Sequence, residues 1–80
     1  MTEPDGIEQV RAEISRLVVA AEDAYIQMYD ASYPAALYSE AKESYYTAIG
    51  LARKHGLEDK AVQLEKRLQH IKAVFRSQFS

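Results

Sequence analysis

The apolar residues of this chain recur in steps of three and four from one end to the other. That spacing leaves the helix as the regular element able to gather them. The first run reads Ile7, Val10, Ile14, Leu17, Ala21, Ala24 and Met28; at 3.6 residues per turn these side chains share one stripe. A second stripe is Tyr38, Ala41, Tyr45, Ala48 and Ala52, flanked by Leu37, Ile49 and Leu51. A third is Leu57, Ala61, Leu64, Leu68, Ile71 and Phe75. No stretch alternates with period two for long enough to make a strand. The spacing predicts three helices near 6–31, 34–55 and 58–78, each roughly 30–39 Å long at 1.5 Å per residue. Three rods of similar length with short connections pack as an antiparallel up-down-up bundle. The expected fold class is therefore all-α, a single three-helix domain over residues 1–80.

Local chemistry places the helix ends. Asp5 suits an N-cap, with Glu8 three residues on in the capping-box position. Pro34 suits the first turn of the second helix, where its missing N–H costs nothing. Gly56 suits the close of that helix, where a positive φ is common. Arg53, Lys54 and His55 then fall in a last turn, and Glu58 and Asp59 in a first turn, each set opposing the partial charge of its helix end. Residues 1–43 hold nine acids and three bases, and residues 44–80 three acids and seven bases. An acidic first helix is expected to dock on a basic third.

Composition narrows the function classes. Eighty residues leave no room for a second domain of ordinary size. No apolar run approaches the roughly 18 residues of a membrane span, and the N-terminal residues lack the basic start and apolar core of a signal peptide. With no cysteine, a disulfide scaffold, a thiolate metal site and a cysteine nucleophile are all excluded. The net charge of −2 gives no reason to expect a nucleic-acid or membrane partner. The expectation is a small cytoplasmic helical domain.

Catalytic and metal signatures do not emerge. His55 and His70 stand far apart, with no His-x3-His or Glu-x2-His pair to set ligands on one helix face. No glycine-rich loop cradles phosphate, and no serine has a His–acid arrangement beside it. Glu22 and Asp23 point in different directions around a helix and read as surface-solvated acids. Lys60, Lys66, Arg67, Lys72 and Arg76 scatter around the third helix, where phosphate binding would want them on one face. No enzyme, cofactor or metal is expected.

The first helix carries more apolar surface than one stripe. Ala12, Val19, Ile26 and Tyr33 recur every seven residues on the side away from Ile7–Met28, with Tyr29 beside them. Either helix one rolls so that its neighbours cover this side, or Val19, Ile26, Tyr29 and Tyr33 form a contact surface for a partner helix or a second copy. Six tyrosines stand against two phenylalanines and no tryptophan, and Tyr25, Tyr29 and Tyr33 step by four along one expected helix face. Tyr38 and Tyr45 fall on the core stripe, with hydroxyls expected at its solvent edge. Tyr29 and Tyr46 fall off their stripes and are expected to be exposed, and Tyr46 joins the candidate contact residues. Gly50, mid-helix on the outward side, costs about 1 kcal/mol against alanine; either it lets another backbone approach or it is simply tolerated.

Residues 36–56, with Tyr38, Ala41, Tyr45 and Ala48 in aromatic–small–aromatic–small spacing, resemble a tetratricopeptide repeat. The run LEDKAVQLEKRLQHI that follows looks like the opening helix of a next repeat. The Leu-Gly pair and closing proline of that family are missing, and a solenoid needs about three repeats. In size the chain is also similar to the microtubule-interacting-and-trafficking type of three-helix domain, on Asp23 and the Tyr38-x2-Ala41-x3-Tyr45 run. That resemblance implies a non-enzymatic domain that binds helical or extended peptides in grooves between helices. The expected role is a protein-protein interaction module. Alternatives are a self-associating assembly protein that forms a homodimer through helix one, and a small nucleic-acid-associated regulator working through helix three.

Overall fold

The computed structural model describes residues 3–79, with side chains from residue 6 onward. Three helices form: α1 over Glu3–Gln27, α2 over Pro34–Lys54 and α3 over Glu58–Gln78. A short 3-10 turn, Met28–Asp30, follows α1. Among the described residues all regular structure is helical.

The ends follow local rules, with two departures from expectation. α1 starts at Glu3 rather than near residue 6, so Asp5 lies within it; the Asp5 side chain, expected as a cap, lies outside the described residues. At its other end α1 stops four residues short of 31. Ala31 is extended (φ −86°, ψ 147°) and Tyr33 is non-helical (φ −127°, ψ 76°). The ring of Pro34 clashes with a helical residue before it, and the 3-10 turn uses up the last of the helical run. Pro34 itself opens α2. Gly56 closes it at φ +77°. There the Leu57 N–H reaches the Ala52 carbonyl at 2.7 Å and the Gly56 N–H the Arg53 carbonyl at 3.1 Å, the paired bonds of a Schellman close.

The three stripes meet in one core. Ile14, Ala21, Ala24 and Met28 from α1 and its 3-10 turn are buried, as are Ala41, Tyr45, Ala48, Ile49 and Ala52 from α2. α3 adds Ala61, Leu64, Leu68 and Ile71. Alanine dominates the buried positions of α2, so the neighbouring backbones run close. The backbones of α1 and α2, and of α2 and α3, lie side by side, while α1 and α3 meet chiefly through long side chains. Tyr38, early in α2, stacks on Phe75, late in α3, with ring centroids 3.9 Å apart. Arg53, late in α2, reaches Glu58 and Glu65 early in α3, at 3.9 and 2.7 Å.

The molecule measures 48 × 19 × 13 Å and its radius of gyration is 13.9 Å, against roughly 12 Å for a compact chain of this length. So thin a body has little interior and leaves broad helix faces open to solvent. No described helix is long and apolar enough to cross a membrane.

Candidate interaction surfaces

A polar tie fastens all three helices. Glu22 of α1 accepts from Arg67 of α3 through Nε–H at 2.8 Å and Nη2–H at 2.7 Å. The buried Tyr45 of α2 donates its hydroxyl to the same carboxylate. Arg67 also covers the Tyr25 ring, 5.2 Å from its centroid. The Arg67 hydrogen bonds hold the Glu22 carboxyl below its ordinary value, helped by Tyr45 and the nearby charge of His70 and opposed by partial burial. Burial and the Glu22 carboxylate push the Tyr45 phenol well above its ordinary range. Glu22 is thus no merely solvated acid, as its sequence position suggested, and Tyr45 keeps its hydroxyl inside the tie rather than at a solvent edge. The signal was present: Glu22 lies four residues from Val18 and three from Tyr25 on the flank of its stripe, and Arg67 lies between Leu64 and Ile71. Asp23 is exposed.

Rings close the end of the molecule where α1 finishes. Tyr25 and Tyr29 meet edge to face at 5.7 Å and share a hydroxyl contact at 3.2 Å. Tyr29 meets Phe79 at 5.3 Å, and Phe79 stacks on Phe75 at 5.6 Å. With the Tyr38 stack, this makes a continuous line of five rings. It absorbs one side of Tyr29, which remains 51% exposed.

Five residues were candidates for partner contact, and the structure separates them. Val19 and Ile26 are 60% and 63% exposed on the outer side of α1. Neighbour helices do not cover that side, so helix one has not rolled to hide it. A shallow apolar depression surrounds Val19, Ala20, Ser15 and Arg16, with Asp23 at its edge. Tyr33 is 80% exposed but leaves this face: the break at residues 31–33 puts it in the turn before α2, so Tyr25, Tyr29 and Tyr33 do not share one face. Tyr46 is 52% exposed and belongs to a different surface.

That surface is a groove between α2 and α3, of about 570 Å³, floored by Ile49 and Leu68 and walled by Tyr46 and Val62. Val62, 44% exposed, is the groove residue that sequence reasoning missed. It sits one position from the buried Ala61, and only the placing of α3 against α2 turns it toward Tyr46. The Arg53–Glu65 ion pair bounds one end of the groove. At the other, Lys72 sits over the Tyr46 ring, 5.1 Å from its centroid. Gly50, exposed on α2 beside Ile49, has nothing within 4 Å of where a Cβ would stand.

His55 caps α2 and His70 lies on α3, both exposed. Among the described residues no three of His, Asp and Glu gather as metal ligands. No family model, curated protein or solved structure matches the chain.

Proposed function

We propose that this protein is a non-enzymatic protein-interaction module that receives a partner helix or peptide in the α2–α3 groove. The carrying observation is the groove itself, an apolar floor of Ile49 and Leu68 lying open between Tyr46 and Val62. A partner helix would lay its apolar stripe along that floor, with Lys66, which lines the groove, and Lys72, over the Tyr46 ring, meeting acidic flanks. Large exposed apolar side chains are costly to keep on so thin a body unless they are used. The contacts that pair early α2 with late α3, and late α2 with early α3, support an up-down-up array of tetratricopeptide-like character, an architecture that offers such grooves.

The experiment is a peptide library displayed on phage and selected against the folded protein, with selected peptides mapped by amide chemical shifts. Shifts clustered on Tyr46, Ile49, Gly50 and Val62, and binding lost in Tyr46→Glu with the helical spectrum unchanged, support the reading. Selected peptides that shift no resonance in this groove overturn it.

A second reading, a symmetric homodimer through α1, is favoured by the exposure of Val19 and Ile26.

A further inference from the structure

We infer that the groove's partner is a second copy of this chain, whose α1 lies outer face down between α2 and α3, so that copies join head to tail. The inference rests on the groove reading above and names its occupant.

Charge is the first argument. The α1 segment with its 3-10 turn, residues 3–30, carries seven acids and two bases, whereas the chain from 31 to 80 carries five acids and eight bases. By sequence the α1 segment is therefore net acidic and the remainder of the chain net basic. On the outer face of α1 the exposed Arg16 and Asp23 stand on either side of Val19 and Asp30 lies beyond Ile26; a groove lined by Lys66, with Lys72 over Tyr46, brings opposite charges to Asp23 and Asp30.

Shape is the second. Ala12, Val19 and Ile26 stand seven residues apart in one exposed line along the outside of α1, and the groove between Tyr46 and Val62 is an apolar channel able to take a helix face. Gly50 lies open beside the channel, and the fold has no packing use for its missing side chain. A glycine there lets an incoming helix backbone come close. Within one copy the same logic already operates, since acidic α1 is tied to basic α3 through Glu22 and Arg67.

An α1 face on one side and a channel on another make a heterologous contact, which propagates instead of closing at two. One helix in one shallow channel falls below the standard interface of about 800 Å² per partner, so the association is expected to be weak and concentration-dependent.

The test is sedimentation of the whole chain from micromolar to millimolar concentration, alone and as the variants Ile26→Glu and Tyr46→Glu. Both positions are exposed, so each variant is expected to keep its fold, checked by circular dichroism. The native chain should rise above its 9.1 kDa monomer mass with no plateau at two copies, and more weakly in 0.5 M than in 0.05 M NaCl. Each variant alone should stay monomeric. Mixed in equal amounts they should form a one-to-one pair, because one retains the channel and the other the α1 face. A native plateau at two copies, or dimers of Tyr46→Glu alone, would instead establish a two-fold contact and overturn the inference. A native chain monomeric throughout also overturns it, and peptides still mapping to the groove in that case would leave the groove reading standing.

Discussion

Arg67 grips Glu22 with two parallel hydrogen bonds, at 2.8 and 2.7 Å, across 45 residues of sequence. Because the guanidinium fork matches the carboxylate edge, the pair fixes both the spacing and the rotation of α1 against α3. Without it these two helices share little backbone contact, so it acts as the clasp of a thin structure.

The clasp should be specific to arginine. Lysine at the same site offers a single ammonium in place of the fork. Arg67→Lys is expected to cost about 1 kcal/mol and Arg67→Ala about 1–3 kcal/mol, the latter because Tyr45 and Glu22 keep a carboxylate with no cation. Urea unfolding with an unchanged m-value is the measurement; an Arg67→Lys chain as stable as the native one would deny the fork its role.

Acid should loosen the clasp. The Glu22 carboxyl is held below its ordinary value of 4.5, first by the Arg67 hydrogen bonds and then by Tyr45 and the charges of Arg67 and His70. A depressed folded value means the stabilisation is complete above the unfolded value and is lost as pH falls through the folded one. The stability gap between the native chain and Glu22→Gln should therefore be widest above about pH 4.5 and close below it. Chemical denaturation from pH 7 down to 2.5 reads this directly.

Alkali should act through Tyr45. Its phenol is raised far above the ordinary 10.0 by burial and by the Glu22 carboxylate. A raised folded value gives stability that is present below pH 10 and declines as pH climbs beyond it. Absorbance titration should show one tyrosine ionising last, and Tyr45→Phe should remove that late step.

The two glycines should respond in opposite directions. Gly56→Ala forces a side chain to φ +77° and is expected to destabilise by about 1 kcal/mol. Gly50→Ala meets open space within a helix and should stabilise the monomer by about 0.5–1 kcal/mol. Thermal melts of dilute protein separate them, and a loss of stability in Gly50→Ala would mean that the glycine serves the fold itself.

The alanine contacts should not accept larger side chains. Ala48 is fully buried between helices, and Ala48→Leu should cost about 1–3 kcal/mol by forcing them apart. Ile14→Ala, at the other extreme, should cost about 2–5 kcal/mol, a large share of what a core this small provides. Either variant unfolding at the native urea midpoint would contradict the packing.

What the amino-acid order determined alone was everything governed by neighbours a few positions apart. The three stripes, the proline that opens α2 and the glycine that closes it were all readable, since helical periodicity and backbone sterics act within one or two turns. The exposure of Val19 and Ile26 could be posed from their seven-residue spacing, but whether other helices covered them depended on how those helices packed. Tertiary structure decided the rest. Glu22 looked like a solvated acid until Arg67 and Tyr45 arrived from two other helices. Tyr33 looked like the next step of a tyrosine face until the chain broke ahead of Pro34. Val62 became a groove wall only once α3 lay against α2. In each case the outcome rests on a distance between segments remote in sequence, and such distances arise only when side chains from separate helices compete for the same narrow interior.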